Sequence, residues 1–238
     1  MAIGKNIVLD LIYPQRCPIC SEVQPYQGAG VCGRCLKKLK RVKEPCCLKC
    51  GKTITNDEEE YCQDCLMIPK SFQRGYPVFE YEERIKGALH DFKYKNQRSF
   101  ADFFAECIYR RYGSDFERLC LDGLVPVPVH PRKRRSRGYN QAELLAKELA
   151  ACLGLTCYSD YLVRQVNTAP QMELNDISRM KNLKNAFKIG ENKIKLKKVL
   201  LVDDIYTSGA TIEACTRVLL SAGVEKVYYT SVAIGKGF

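Results

Sequence analysis

The cysteines of this chain have a spacing that suits metal binding. Nine of its 14 cysteines fall between Cys17 and Cys65, and most of them form C-x2-C pairs. The pairs make two sets with the same internal spacing, the second 30 residues after the first: Cys17, Cys20, Cys32 and Cys35, then Cys47, Cys50, Cys62 and Cys65. Four thiolates are the tetrahedral ligand set that structural Zn²⁺ prefers. The pattern predicts two closed, structural zinc sites with no open catalytic position.

Two ways of pairing these turns satisfy the spacing. Each set can close on itself, or the first and last C-x2-C pairs can meet in an interleaved arrangement. In either case a region this polar needs such cross-links to fold, and clustered thiols in a reducing compartment favour metal over disulfides. Gly33 and Gly51 are expected to adopt the positive φ that such turns often require. Cys46 is left without a partner in this spacing.

A second group of residues could hold a phosphorylated sugar. The apolar run Val199–Val202 predicts a strand buried on both faces of a parallel sheet. Asp203 and Asp204 follow at its carboxyl end, where open α/β sheets bind ligands. Small and hydroxyl residues then lead into a helix: Tyr206, Thr207, Ser208, Gly209, Ala210 and Thr211. Amides at a helix start bind phosphate, and paired carboxylates accept hydrogen bonds from a sugar diol. A ribose 5-phosphate site is the favoured interpretation over a plain strand–turn–helix with an acidic start.

Basic residues cluster at two places. Five cations directly follow a predicted strand, Leu124–Val129, in what is expected to be a loop: Arg132, Lys133, Arg134, Arg135 and Arg137. Arginine forks suit phosphate oxygens, and we expect Arg132 and Arg137 to face the ligand while the others are solvated or meet a polyanion. A further run between the cysteine sets is either a contact to a phosphate backbone or a solvated linker: Lys37, Lys38, Lys40, Arg41 and Lys43. His130, which precedes the first of these clusters, is expected to be structural, with a position lining the site as the alternative.

The elements that position these residues alternate along the chain. Strands are predicted at Val78–Tyr81, Leu124–Val129, Leu162–Arg164, Val199–Asp203 and Val227–Ala233, and helices at 82–94, 98–112, Gln141–Leu153, Asp176–Asn185 and Thr211–Ser221. This order predicts an α/β fold with a mostly parallel sheet flanked by helices, preceded by a small cysteine-rich zinc module. We expect domains at 1–70 and 71–238. Asn140 and Glu143 resemble a capping box, and Cys152 and Cys215 are expected to be small core residues.

Composition excludes several classes of protein. With 46% hydrophobic and 27% charged residues, the chain is neither fibrous nor mainly disordered. No apolar run approaches the roughly 18 residues of a membrane-spanning helix, and the N-terminus does not resemble a secretory signal. A cytoplasmic protein with reduced thiols is therefore expected. The formal net charge of +11 permits nucleic-acid binding without demonstrating it.

Several motifs resemble a known family. Val199–Thr211 is similar to the motif by which type I phosphoribosyltransferases bind phosphoribosyl pyrophosphate (PRPP). Other runs resemble the ComF family, in which a double zinc module precedes a transferase-like domain: Pro126–Arg132, Arg137–Ala146 and Arg164–Gln171, with Arg179, Asn182, Ala186 and Phe187. The resemblance covers nearly the whole chain. One variation is the hydroxyl pair Thr207–Ser208, where many transferases have two threonines.

The resemblance implies roles for individual residues. Asp203 and Asp204 would bind the ribose 2′- and 3′-hydroxyls, and the loop from Tyr206 to Thr211 would hold the 5-phosphate. Displacement of pyrophosphate from ribose C1 requires charge neutralisation, which Mg²⁺ bound with PRPP and arginines would supply. Asp203, Asp204 and Arg137 are thus the expected catalytic residues. Part of 164–185 is either a lid or an ordinary surface loop and helix, and it includes Thr168, Pro170, Gln171 and Arg179.

Two functions from different classes remain open. The resemblance favours a PRPP- or nucleotide-binding protein of natural competence. It would act in DNA uptake, handling single-stranded DNA with competence proteins at the cytoplasmic face of the membrane. The alternative is an active phosphoribosyltransferase of nucleotide metabolism or salvage with an unknown acceptor.

Overall fold

A computed structural model describes residues 16–23, 30–165, 183, 185–191 and 194–237 of the chain. Within these residues the strands are β1 Gly75–Glu80, β2 Gly123–Pro126, β3 Leu162–Arg164, β4 Phe187–Ile189, β5 Lys198–Tyr206 and β6 Lys226–Ile234. The helices are α1 Gly33–Leu36, α2 Gln63–Met67, α3 Glu83–Tyr94, α4 Phe100–Leu119, α5 Pro131–Arg137, α6 Gln141–Leu153 and α7 Ala210–Ser221.

The central sheet has four parallel strands in the order β1-β6-β5-β2. Strand β5 lies between β6 and β2, and its Val202 is in register with Thr230. Strands β3 and β4 form a separate antiparallel pair. The predicted α/β fold with a parallel sheet is therefore confirmed, and β5 is placed at its centre.

Strand β5 is buried on both faces, as its unbroken apolar run predicts. Leu200 and Val202 pack with side chains of α3, α4 and α6 on one face. Val199 and Leu201 pack with α7 and the small sheet on the other face. Burial on both sides holds β5 in a fixed register, so the residues that leave its carboxyl end have a defined position.

The structure corrects two boundaries near the predicted site. Strand β2 ends at Pro126 rather than Val129, because Pro128 and Pro131 have no amide to continue the ladder. The basic cluster is not a loop but the short helix α5. Strand β5 also extends past Asp203 to Tyr206, so both aspartates lie within the strand, near its end.

The predicted capping box and the predicted pair of core cysteines are each only partly confirmed. The Asn140 side chain does accept a hydrogen bond from the Ala142 amide, at 3.1 Å. Glu143 does not complete a capping box, because it pairs with Arg134 at 3.0 Å and Lys147 at 2.8 Å. Cys215 is buried, which confirms that it is a small core residue. Cys152 is exposed because the apolar stripe of α6 turns away from it, so the same prediction is wrong there.

The basic run between the cysteine sets covers the outer edge of the sheet. The Val42 amide donates to the Val78 carbonyl at 3.0 Å, and the Glu80 amide donates to the Lys40 carbonyl at 2.9 Å. This pairing protects the edge of β1. Leu39 and Val42 are buried, while all five cations face outward: Lys37, Lys38, Lys40, Arg41 and Lys43. They form one exposed basic strip.

Some predictions lie outside what the structure describes or tests. The helix expected at Asp176–Asn185 falls outside the described residues except for Leu183 and Asn185. The proposed lid residues Thr168, Pro170, Gln171 and Arg179 fall outside them entirely. The division into 1–70 and 71–238 stays a prediction.

Candidate functional site

The eight paired cysteines form two clusters. Cys17, Cys20, Cys32 and Cys35 make one, and Cys47, Cys50, Cys62 and Cys65 make the other, with the ligand atoms of each cluster within 4.8 Å of one another. Each set therefore closes on itself, and the interleaved pairing is wrong. Sulfurs of Cys20 and Cys32 lie 3.8 Å apart, and those of Cys50 and Cys62 lie 3.6 Å apart. Those separations suit a tetrahedral zinc with Zn–S bonds of about 2.3 Å.

The two clusters are structural copies. The Cys17 amide donates to the Glu22 carbonyl at 2.8 Å, and the equivalent bond 30 residues later, from Cys47 to Lys52, is also 2.8 Å. The ion pair of Glu22 with Arg34 has its counterpart in Lys52 with Asp64, with the two charges exchanged. The first pair is exposed and the second is shielded, because the second cluster packs deeper against the sheet.

Glycine has different roles in the two copies. Gly51 has φ +74°, and an added Cβ would lie 2.8 Å from the Gly75 carbonyl oxygen, so its prediction is confirmed. Its equivalent in the first copy is Ser21, which also has a positive φ of 60°. Gly33 instead begins helix α1 without a positive φ, so its prediction is wrong.

The loop after β5 turns tightly around Gly209, which has φ +75° and forms the N-cap of α7. A Cβ at Gly209 would lie 2.2 Å from the Tyr206 hydroxyl oxygen, so the turn leaves no room for a side chain. Thr207 is exposed, and Ser208 and Thr211 are half-buried. The first turn of α7 has amides without intrahelical acceptors, which can bind an anion.

Tyr206 differs from the other residues of this loop. Its ring is buried and stacks on Tyr229, with centroids 4.7 Å apart and an interplanar angle of 10°. Phe72 contacts both rings edge-on. The Tyr206 side chain therefore packs against Gly209, and its burial leaves only the backbone of Tyr206 available at the surface of the loop.

The acidic pair has a cationic partner. Asp204 is only 8% exposed, and its Oδ2 lies 2.6 Å from the Nζ of Lys93 on α3. Asp203 is partly exposed, and its Oδ1 accepts a 2.8 Å hydrogen bond from the Asp204 amide. Burial, followed by the adjacent Asp204 carboxyl, raises the pKa of Asp203 well above its usual range. A sugar hydroxyl at Asp204 must share or displace the Lys93 ammonium.

Sequence reasoning missed Lys93. Its burial alone would lower the pKa of the ammonium, but the carboxylates of Asp204 and then Asp203 outweigh this and raise that pKa. The ammonium therefore stays charged at neutral pH. A signal was present in the sequence: Lys93 lies four residues after Leu89, on the buried stripe of the predicted helix.

Three further residues missed in the sequence anchor the loop. Lys70 is 8% exposed, and its Nζ donates to the Ser208 carbonyl at 3.0 Å. The Ser71 amide and hydroxyl donate to the two carboxylate oxygens of Glu213, both at 2.7 Å. Glu213 also accepts from Arg217 at 2.7 Å. The segment that leads from α2 to β1 thus holds both sides of the turn.

Some charged side chains of the basic helix α5 pair with other residues of the protein, and others are exposed. His130 caps the helix, since its Nδ1 accepts from the Arg132 amide at 3.2 Å; this confirms a structural role. Arg134 is paired with Glu143 at 3.0 Å. Arg137 is half-buried and donates to the Tyr94 hydroxyl at 3.0 Å and to Gln141 at 3.2 Å. Arg132 is exposed.

Several cations converge on the carboxyl end of the sheet. Burial, and then the charges of Arg164, Arg137 and Lys93, lower the pKa of Lys133. Like charges held this close repel one another, and a bound anion would relieve that repulsion. This end of the sheet therefore combines an anion-attracting field, an acidic pair and a glycine turn at a helix start.

Comparison with known proteins agrees with this arrangement. Residues 8–66 match the double zinc ribbon domain, and residues 136–234 match the phosphoribosyl transferase domain. Competence protein F of Haemophilus influenzae is 29% identical over 223 residues, which cover 92% of this chain and 96% of that protein. DNA utilization protein YhgH of Escherichia coli K12 is 28% identical over 91% of this chain and 96% of its own length.

A third relative aligns over a smaller share of the chain. Competence protein ComFC of Bacillus subtilis is 26% identical over 202 residues, which cover 81% of this chain and 79% of that protein. Among the described residues, no helix is both long and apolar enough to span a bilayer. The two domain matches, in this order and with relatives that align along most of the chain, show that the protein belongs to the ComF family.

Proposed function

We propose that the protein binds PRPP, or a nucleotide, at the carboxyl end of β5. The observation that carries this proposal is the 2.6 Å ion pair of Lys93 with Asp204 at the end of β5, the strand that leads into the tight turn at Gly209. An anion with a diol matches both features, because phosphate attracts the cations and the diol donates to the carboxylates. The phosphoribosyl transferase domain match supports the same ligand class.

Each part of the ligand has a counterpart among the described residues. The 5-phosphate binds the amides and hydroxyls of the loop from Thr207 to Thr211, where Gly209 allows close approach. The ribose hydroxyls bind Asp203 and Asp204. The pyrophosphate binds Arg137 and the exposed Arg132 at the start of α5. Tyr206 and Ala210 contribute backbone alone, since both side chains are buried.

Magnesium fits this site as part of the ligand. Mg²⁺ takes oxygen ligands and usually binds through one or two carboxylates together with substrate phosphates. Asp203 is the carboxylate for this role, because it is partly exposed while Asp204 is paired with Lys93. The ion would supply charge neutralisation at the pyrophosphate. Arg137 adds positive charge from the protein, so the site needs no covalent nucleophile.

The biological role that we propose is in DNA uptake. Two relatives are named competence proteins and another a DNA utilization protein, and all three align along most of this chain. The exposed basic strip from Lys37 to Lys43 offers a surface to single-stranded DNA. A cytoplasmic location, next to competence proteins at the membrane, fits the reduced thiols that both zinc ribbons require.

The alternative is an active phosphoribosyltransferase of nucleotide metabolism. Arg132 and Arg137, which we assign to the pyrophosphate, would serve this alternative too, because they would neutralise the leaving group. Pyrophosphate release across a panel of bases separates the two, since turnover with any base supports the enzyme.

Calorimetric titration with PRPP and Mg²⁺ tests ligand binding. We expect the Asp203→Asn/Asp204→Asn double variant to lose measurable affinity, while Asp115→Asn on α4 binds like the native protein. Equal affinity in the double variant would refute the ribose assignment.

DNA binding has a separate test. We expect Lys40→Ala/Arg41→Ala/Lys43→Ala to weaken single-strand affinity and to reduce its salt dependence by up to about one unit of slope per lost phosphate contact. Lys195→Ala/Lys197→Ala/Lys226→Ala removes as many exposed cations near the opposite end of β5 and serves as the control. Equal loss in both variants would exclude the basic strip as the DNA-binding surface.

A further inference from the structure

Three successive residues between the second zinc ribbon and β1 contact the proposed phosphate loop and its surroundings. The first of them is Lys70, whose Nζ donates to the Ser208 carbonyl at 3.0 Å. The next donates twice to the Glu213 carboxylate in the first turn of α7, at 2.7 Å each. The third, Phe72, is fully buried and packs edge-on against Tyr206, with centroids 6.3 Å apart. The segment that leaves the second ribbon therefore forms part of the wall of the loop.

Lys70 is a charged residue in a buried position. It is 8% exposed, and its ammonium donates to a backbone carbonyl. Among the residues that the structure describes, no carboxylate forms an ion pair with this ammonium. Burying a charge without a counter-ion is costly, and an anion bound close by would offset the cost. The buried charge of Lys70 beside Ser208 therefore points to an anionic ligand at the loop.

The hydrogen bond from Lys70 fixes the direction of one peptide group. In a planar trans peptide the carbonyl and the amide that follows it point in opposite directions. Because the Ser208 carbonyl faces Lys70, the Gly209 amide points away from Lys70, to the other side of the loop. Gly209 has φ +75° and Ala210 begins helix α7, and such a turn brings successive amides to one concave side. Lys70 thus holds the loop in the form that presents these amides together.

We propose that Lys70 is a positioning residue of the phosphate site, which holds the Ser208–Gly209 peptide so that the Gly209 amide donates to the 5-phosphate. This inference rests on the proposed function and adds a residue that lies between the two domain matches, 8–66 and 136–234. Lys70 acts through the backbone and does not touch the ligand. Its ammonium also polarises the peptide, which makes the Gly209 amide a stronger donor.

Calorimetry with ribose 5-phosphate tests this role. Lys70→Met keeps an unbranched side chain but removes the donor and the charge. We expect it to weaken binding roughly tenfold or more, the scale of a lost hydrogen bond to a charged group. Lys198→Met is the matched control, because the Lys198 Nζ also donates to a backbone carbonyl, that of Leu119, at 3.3 Å. Lys198 begins β5, at the end away from the loop, so its variant should keep the native affinity.

An NMR measurement distinguishes positioning from a general loss of stability. Labelling with ¹⁵N-glycine restricts the spectrum to the amides of 16 glycines, and Gly209→Ala identifies the signal of Gly209. In the native protein we expect saturating ribose 5-phosphate to shift the Gly209 amide proton downfield, because the amide donates to a charged phosphate oxygen. In saturated Lys70→Met this shift should be largely lost. A variant that is only less stable would still show it.

Two checks accompany these measurements. Replacing a buried, unpaired charge by an apolar side chain should not unfold the protein, and thermal unfolding of Lys70→Met tests this. Lys70→Arg keeps a donor and the charge, so it should retain most of the affinity. A loss in Lys70→Arg as large as that in Lys70→Met would overturn the assignment to the donor.

The outcomes separate this inference from the proposed function. Equal affinities of Lys70→Met and the native protein would overturn the positioning role and leave the proposed function standing. A weaker affinity with an undiminished Gly209 shift, or an equal loss in Lys198→Met, would overturn that role as well. Failure of the native protein to bind ribose 5-phosphate would overturn the proposed function and this inference with it.

Discussion

The Tyr229 hydroxyl donates a 2.8 Å hydrogen bond to the carbonyl of Cys50, a member of the second cysteine cluster. The Tyr229 ring stacks on Tyr206, whose hydroxyl lies beneath Gly209. The second zinc ribbon is therefore connected to the proposed phosphate loop through two aromatic rings. The first ribbon contacts α4 instead, where a Cβ on Gly30 would lie 3.2 Å from Phe103.

This connection predicts that the two zinc sites differ in their effect on ligand binding. Cys62→Ser and Cys32→Ser occupy equivalent positions of the repeat and form a matched pair. We expect each to lower zinc content from two toward one per chain. Cys62→Ser should weaken binding of ribose 5-phosphate several-fold because it loosens the support of Gly209, whereas Cys32→Ser should leave that affinity unchanged. Metal analysis and calorimetry check this, and equal affinity losses in both variants would contradict it.

The turn at Gly209 predicts a large effect of a single methyl group. Gly209→Ala forces a left-handed backbone on alanine and brings its Cβ against the Tyr206 hydroxyl. Gly154→Ala is the control, because Gly154 has φ +66° and an added Cβ there meets no described atom within 4 Å. We expect Gly154→Ala to destabilise by about 1 kcal/mol and Gly209→Ala by clearly more, measured by urea unfolding. Equal losses would show that Tyr206 does not restrict the turn.

The Lys93–Asp204 pair predicts strong coupling between the two residues. Both side chains are largely buried, so removal of one leaves an uncompensated charge. We expect Lys93→Met to reduce the free energy of unfolding by about 3 kcal/mol. In Lys93→Met/Asp204→Asn most of that loss should be recovered, because the charge of Asp204 is removed together with its partner. Additive losses in the double-mutant cycle would mean that the pair contributes no coupling energy.

The raised pKa of Asp203 predicts that the stability of the protein depends on pH. Because burial and the Asp204 carboxyl raise its pKa, the folded protein keeps a proton that the unfolded chain releases. The contribution of Asp203 to the free energy of unfolding therefore falls as pH rises from the ordinary carboxyl pKa of about 4 toward the raised pKa of Asp203 in the folded protein. Asp203→Asn should melt at a higher temperature than the native protein at pH 8, and the difference should vanish near pH 4. A difference independent of pH would reject this cause.

Local patterns predict some parts of this protein well. The cysteine spacing predicts both four-cysteine clusters, and the apolar run Val199–Val202 predicts the central strand. Helix α5 was also predictable in principle, since Pro131 at its first position and Gly138 just after its end are typical helix boundaries. The density of positive charge favoured a loop instead.

Other features depend on contacts between distant parts of the chain. Lys93 meets Asp204 only because α3 packs over the end of β5, and Lys70 meets Ser208 across 138 residues of sequence. No periodicity within a single segment encodes such a contact. The choice between the two cysteine pairings has the same origin, because both satisfy the spacing and only the packing of each ribbon decides between them.

A crystal structure of the protein with PRPP and Mg²⁺ tests the central claim most directly. We expect the 5-phosphate to lie on the amides from Thr207 to Thr211, and the ribose hydroxyls to lie within hydrogen-bond distance of Asp203 and Asp204, with Lys93 moved off Asp204. PRPP bound elsewhere, or an intact Lys93–Asp204 pair with no sugar beside it at saturating ligand, would contradict the account.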